Sequence, residues 1–248
     1  MDSAGSLKIG TVNLNSLMGK LKFVRDLINQ ERLFLLGVCE TWLTASVATS
    51  FVSLDGFQVV RRDGAGDARK HGVCLYISNS VKYISVDVPC HNLVAVHLFD
   101  FDIYVVVAYR PPSYTEMENA ELVSFLQNFC LGRETILMGD FNLPSLKWSE
   151  GDILDRYIPP VHRQFLECFT MLGMTQWVRE GTFTLSGNIL DLVLTSDQDR
   201  IGSVCVLSSL PNCFHCPVVF QYLFELKAET SDSHCEKYDW HRGNYASI

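Results

Sequence analysis

No hydrophobic run in the 248 residues is long enough to cross a bilayer. The longest, 33–39 and 103–109, fall far short of the ~20 apolar residues that a spanning helix needs. The start, MDSAGSLKIG, lacks the basic residues and apolar stretch of a secretory signal, so the expectation is an intracellular protein that is not secreted and has no membrane partner. Cysteine is present without a framework. Nine are scattered through the chain, an odd count that fits reduced thiols rather than a disulfide scaffold. Positive charge is scarce. Twenty Lys and Arg against 28 Asp and Glu leave a net charge of −8, which argues against coating a polyanion through bulk charge. A glycine-rich phosphate loop is lacking too, because Gly64-x-Gly66 alone does not make one. There is no internal repeat and no low-complexity block.

Two local features have both a functional and a plain reading. Cys213-x-x-Cys216, with His215 between and His234-Cys235 downstream, is half of a zinc pattern, or two small apolar residues flanking a strand start. Arg61-Arg62 and Arg69-Lys70-His71 form a basic cluster that touches phosphates or decorates a solvated hairpin loop.

What remains is an ordinary globular composition, 48% hydrophobic and 19% charged. Alternating and continuous apolar runs predict strands over 7–13, 33–39, 56–62, 72–78, 94–99, 103–109, 135–138, 189–195, 202–207 and 217–224. Helical spacing predicts helices over 20–30, 116–131 and 161–172. Hairpins mixed with crossover helices imply an α/β fold, a four-layer sandwich of two mainly antiparallel sheets flanked by helices. The expected domain covers 7–224, and the polar stretch 225–248 is a tail or linker.

Several apolar strands end in a carboxylate or amide: Asn13 and Asn15, Glu40, then Asp140 and Asn142. His215 enters the last strand, and Asp191 lies within an apolar one, where a carboxylate must be paired. Rigid strand ends can present such groups into one cleft. Hard oxygen donors of this kind are what Mg²⁺ takes. Singly, each has a bland account: a turn residue, a satisfied buried carboxylate or, for Tyr109, a core aromatic.

Their joint order resembles the endonuclease/exonuclease/phosphatase superfamily, through TVNLNSL, GVCETWL, HGVCLYISNSV, VVVAYRPP, ILMGDFNLP, ILDLVLTS and FHCPVVF. ETWL, GVxLYISNS and YRPP further resemble the endonuclease domains of LINE-type retrotransposons. The stretch Tyr238-Asp239-Trp240…Tyr245 resembles the linker before a reverse transcriptase in such elements. The resemblance implies a DNase I-like fold and a Mg²⁺-dependent phosphodiester hydrolase, with Mn²⁺ as a substitute. Its substrate would be DNA, nicked to prime reverse transcription in the nucleus, by a monomer whose parent element supplies a reverse transcriptase domain. It implies Glu40 and Asn15 at the metal, Asp140 at the attacking water and Asn142 on a phosphate oxygen. Tyr109 would stand beside the scissile phosphate, Asn13 in the first motif, and Asp191–His215 as a pair with the imidazole at the phosphate. Where the family's last motif has Ser-Asp-His, this chain has Cys213-Phe214-His215, and Phe214 can neither coordinate a cation nor accept a hydrogen bond. A catalytically impaired remnant or DNA-binding module, and a phosphatase acting on another phosphoester, are the competing readings.

Overall fold

The computed structural model describes residues 4–64, 71–148 and 157–225. Gly66, Arg69-Lys70, His234-Cys235 and all of the expected tail beyond Glu225 lie outside these residues. Among the described residues, twelve strands and three α-helices follow one another as β1 (Ala4–Asn13), α1 (Leu21–Glu31), β2 (Leu35–Cys39), β3 (Phe57–Arg62), β4 (Val73–Ser78), β5 (Tyr83–Val86), β6 (Leu93–Leu98), β7 (Ile103–Tyr109), α2 (Glu116–Cys130), β8 (Thr135–Asp140), α3 (Pro160–Met171), β9 (Thr175–Gln176), β10 (Asp191–Thr195), β11 (Ile201–Val206) and β12 (Val218–Glu225). Among the described residues no helix is long and apolar enough to cross a membrane.

The strands form two six-stranded sheets, ordered β11-β12-β1-β2-β4-β3 and β5-β6-β7-β8-β10-β9. Each sheet contains one parallel pair, β1–β2 and β7–β8, and every other pairing is antiparallel. The reason is the connection. Parallel neighbours need a crossover, and α1 and α2 are the segments that supply it. The two sheets pack face to face, α1 covers the outer face of the first, and α2 with α3 covers the second. The expected four-layer α/β sandwich of mainly antiparallel sheets is the fold observed.

Central strands are buried on both faces, as the continuous run of β2 shows. Ile9, Leu35 and Val107 fill the space between the sheets, whereas Val12, Leu36 and Val38 pack with Val24, Leu27 and Ile28 of α1. Thr115 opens α2 with a capping box, its hydroxyl accepting from the Glu118 N–H while the Glu118 carboxylate accepts from the Thr115 N–H.

The structure corrects some expectations. Strands β5 and β9 were missed, one because its exposed residues alternate poorly and the other because it is two residues long. Asp191 is the first residue of β10 rather than an interior one, so its carboxylate stands at a strand end. Arg61 is committed internally. Its guanidinium grips Asp63 at 2.9 and 2.6 Å and donates to the carbonyls of Val47 and Thr44, which fixes a turn instead of offering a free cation to phosphate.

Gly139 has φ +131°, and a Cβ there would lie 2.1 Å from the Ala108 carbonyl oxygen of the adjacent parallel strand. Gly139→Ala is therefore expected to destabilise the domain by roughly 2–4 kcal/mol. A thermal melt should show the midpoint falling by about 5–15 °C, and an unchanged midpoint would refute the claim of close approach.

Candidate active site

Strand periodicity and register explain why remote residues meet. Successive side chains alternate faces, so Asn13 shares the inner face of β1 with Ile9, Tyr109 that of β7 with Val107, and Asp140 that of β8 with Met138. β7 and β8 are parallel, which sets Tyr109 opposite Asp140. β10 runs antiparallel to β8, so its first residue, Asp191, pairs with the last residue of β8, Asp140. β12 runs antiparallel to β1, with Thr11 opposite Val218, and this returns His215 to the end of β1 that carries Asn13. All these groups stand at one edge of the space between the sheets.

They form a connected chain. The Asn13 amide donates to Glu40 Oε1 at 2.9 Å and to Asp140 Oδ2 at 2.8 Å. Trp42 Nε1 donates to the other Glu40 oxygen at 3.1 Å. His215 Nε2 lies 3.8 Å from Asp140 Oδ2, and its Nδ1 meets Asp191 Oδ2 at 2.7 Å. The backbone N–H of Asn142 donates to Asp140 Oδ1 at 3.0 Å, and the Asn142 amide donates to the Arg110 carbonyl. Asn15 is tied in through its backbone N–H, which donates to Asn13 Oδ1. Its side chain is not hydrogen-bonded to Glu40. The loops carrying these groups hold non-glycine residues at positive φ: Asn15 (+47°), Glu40 (+53°), Trp42 (+55°) and Asn142 (+48°). Such conformations cost free energy, and their concentration here is what a functional cleft shows.

Burial and neighbouring charge set the protonation states. Burial, and then the Asp191 carboxylate, push Asp140 up to about 7, against the opposing influence of His215, Asn13 and Asn142. Burial disfavours the charged form of His215, but Asp191, through charge and hydrogen bond, together with Asp140 and Glu40 more than offsets it and raises the imidazole to about 9. Burial and the Glu40 carboxylate hold the Tyr109 phenol well above its usual range, so it remains a neutral donor. A carboxylate poised near neutrality beside an imidazolium is suited to moving a proton and placing a positive donor.

A hard divalent cation fits the donor set. Asn15 Oδ1 and Asp191 Oδ1 are buried oxygens without a hydrogen-bond partner among the described residues, and Glu40 adds a carboxylate. Asp140, Asp191 and His215 also bring one donor atom each within 4.8 Å of one another. Direct ligation through His215 is disfavoured physically, because a protonated imidazole already bonded to Asp191 has no lone pair to give. Neither cysteine of the half-zinc pattern belongs to this three-residue group. Cys213 is buried and donates to the Leu14 carbonyl at 3.4 Å, which supports the plain reading of that pair.

Several supporting residues carried no assigned role in the sequence. Trp42 and Arg110 lie inside quoted motifs, but only the structure shows Trp42 on Glu40 and Arg110 bonding the Phe141 and Asn142 carbonyls. Phe183 packs on the His215 ring at 4.9 Å, and the Thr182 hydroxyl accepts the N–H groups of Leu190 and Asp191. Nothing in local pattern signals either. Phe214 is 48% exposed between buried Cys213 and His215, at the rim of the site. Beside Asn142 opens a cavity of about 300 Å³, lined by Arg110, His162, Phe183, Asn188 and Leu190.

Residues 103–211 match a family model described as endonuclease-reverse transcriptase. No protein of curated function matches the chain. Among solved structures, the AP endonuclease LMAP from Leishmania major superposes with a TM-score of 0.73 at 15% identity, over 88% of this chain and 87% of that one. The endonuclease domain of TRAS1, a telomere-specific non-LTR retrotransposon, gives 0.68 at 16% identity over 90% and 100%. The 3′-5′ exonuclease NExo from Neisseria meningitidis gives 0.67 at 21% identity over 87% and 99%. At such identities the likeness shows the fold. The chain thus shares the fold of these AP endonuclease, exonuclease and retrotransposon endonuclease structures, and residues 103–211 resemble the endonuclease-reverse transcriptase family.

Proposed function

We propose that this chain is a Mg²⁺-dependent phosphodiester hydrolase that nicks duplex DNA for target-primed reverse transcription. The observation that carries the reading is the chain of polar contacts Trp42–Glu40–Asn13–Asp140–His215–Asp191, hydrogen-bonded at every link except the 3.8 Å approach of His215 to Asp140 and assembled from separate segments of sequence at one strand edge. Its domain is 7–224, acting as a monomer in the nucleus beside a reverse transcriptase domain of the parent element.

Glu40 and Asn15 would hold the cation. When bound, a divalent cation supplies positive charge to the oxygens on which negative charge develops. Asp140 orients the attacking water and takes its proton, and Asn13 and the Asn142 N–H fix the carboxylate in place. Water adds to phosphorus as the P–O3′ bond breaks, leaving a 5′-phosphate and a 3′-hydroxyl that receives a proton. His215, held by Asp191, donates to a non-bridging phosphate oxygen, and Asn142 and Tyr109 hold the phosphate from the other side. The neighbouring cavity is large enough for part of a nucleotide.

The test is nicking of supercoiled plasmid in Mg²⁺. Open-circle product that accumulates with Mg²⁺ or Mn²⁺, disappears with EDTA and carries an extendable 3′-hydroxyl is the expected result. Faster turnover of an inositol or lipid phosphate than of DNA would replace this reading with the phosphatase one. Absence of all hydrolysis, restored by Phe214→Asp, would mark the natural chain as an impaired remnant.

A further inference from the structure

Asn92 belongs to none of the groups given a chemical role above, yet every hydrogen-bonding group of its side chain is used. It is 1% exposed, directly precedes β6, and holds a left-handed backbone (φ +58°) unusual for a non-glycine residue. Its backbone carbonyl accepts the Tyr109 N–H at 2.9 Å. Its side-chain Oδ1 accepts the Gly72 N–H at 2.9 Å, and its Nδ2 reaches His71 Nδ1 and the Tyr114 hydroxyl, each at 3.0 Å. The Gly72 N–H fixes the amide orientation, since a flipped amide would oppose donor to donor. An amide N–H can only donate, so His71 Nδ1 accepts and the ring proton sits on Nε2.

The 71–72 segment gripped in this way is a support for the active-site turn. The His71 carbonyl accepts the Trp42 N–H at 2.9 Å, and the Gly72 carbonyl accepts the Thr41 N–H at 3.1 Å. Gly72 itself has φ +96°, and a Cβ there would come within 2.5 Å of the Thr41 hydroxyl oxygen, so a side chain at this position would press on the turn. Trp42 then holds Glu40 through its indole N–H. On the other side the His71 ring stands edge-on to Tyr109, with centroids 6.1 Å apart and planes at 89°. One buried amide therefore joins the turn that carries Glu40 to the strand end that carries Tyr109.

We propose that Asn92 is a positioning residue that sets the spacing of Glu40 and Tyr109 across the cleft by clamping His71 and Gly72. The inference rests on the nicking function proposed above. Groups that hold the partners of reacting residues typically contribute 10- to 100-fold in activity or metal affinity.

The informative variant is Asn92→Gly, which adopts the positive φ freely and removes only the clamp. Its kcat for plasmid nicking in Mg²⁺ is expected to fall about 10- to 100-fold with the KM for DNA within about 3-fold of wild type. Without any metal, amide hydrogen exchange at Thr41 and Trp42 should accelerate by about tenfold or more, because their acceptors have lost their anchor. Asn92→Asp keeps the acceptor for Gly72 but loses both donated bonds. It should fall between the two in kcat, and it carries the test if circular dichroism shows Asn92→Gly unfolded. A wild-type kcat together with wild-type exchange in the folded variant overturns the proposal. A wild-type chain without activity on DNA overturns the nicking function instead, and the exchange measurement then decides the clamp by itself.

Discussion

Asp140→Asn is expected to lower the nicking rate by about 10²- to 10⁴-fold while leaving a folded protein. The carboxylate lies at the centre of the cluster. It accepts from Asn13 and from the Asn142 N–H, faces His215, and opposes Asp191 in the β8–β10 ladder. An amide keeps its shape and cannot take a proton from water. Two effects on stability oppose each other. The new NH₂ must face one of the two former donors, which removes a hydrogen bond at a cost of about 1–3 kcal/mol. Against this, the substitution removes a buried charge beside Asp191. Because Asp140 is raised to about 7, above its unfolded value, the folded state binds a proton that the unfolded state has lost. Its ionisation thus costs wild-type stability progressively as pH rises from about 4 to about 7, and the Asn variant escapes that loss. The stability gap between variant and wild type should therefore narrow or reverse on going from pH 5 to pH 8. Melts at both pH values with nicking rates at pH 8 check this, and near wild-type cleavage by Asp140→Asn would remove Asp140 from the chemistry.

Asp191→Asn tests the other half of the site and should act through His215. Asp191 is the largest of the influences that raise the imidazole to about 9 against burial, with Asp140 and Glu40 adding to it. Without Asp191 the ring titrates lower, so less of it is protonated at pH 8. That loss and the loss of orientation together are expected to lower the rate about 10²- to 10³-fold at pH 8. The deficit should shrink toward pH 6, where more of the freed imidazole is protonated. Stability follows with a definite sign. A folded-state pKa raised from 6.5 to about 9 contributes stability that is complete below about pH 6.5 and is lost as pH rises through about 9. Wild type should therefore lose more stability between pH 7 and 9.5 than His215→Asn. A pH–rate profile identical in wild type and Asp191→Asn would end the argument for an imidazolium at the phosphate.

The Phe214 departure has a structural setting that moderates its meaning. The side chain stands half exposed at the rim, and its carbonyl accepts from both the N–H and the hydroxyl of Thr184, which fastens the loop beside Phe183 to the segment carrying His215. The Asp–His pair and the Asn13–Glu40–Asp140 bonds form with phenylalanine in place.

The strands and helices that position the site were largely legible, because their signal is local. The β7 run ends at Tyr109 as its apolar pattern predicts, and α2 begins where Thr115 and Glu118 make a capping box. What escaped was either too short to carry a period, as in β9, or exposed on both faces, as in β5. The pattern predicts Asp191 inside a strand over 189–195, and the structure starts that strand at Asp191. Its apolar surroundings look like a strand interior, whereas the ladder with β8 begins at the carboxylate itself.

By its own residues the sequence determined the two-sheet α/β architecture and the order of acidic and amide strand ends, since alternation and helical spacing are written within a few neighbours. Only the tertiary structure decided which of those ends share a cleft. Which strands lie side by side depends on packing between segments as far apart as Ala4 and Glu225, and no local pattern encodes that. The same reason hid Asn92 and withdrew Arg61. A side chain's role in this protein is fixed by the partner it meets across the fold, and a buried amide or a surface guanidinium looks the same in sequence whether it clamps a loop, pairs with Asp63 or stands free.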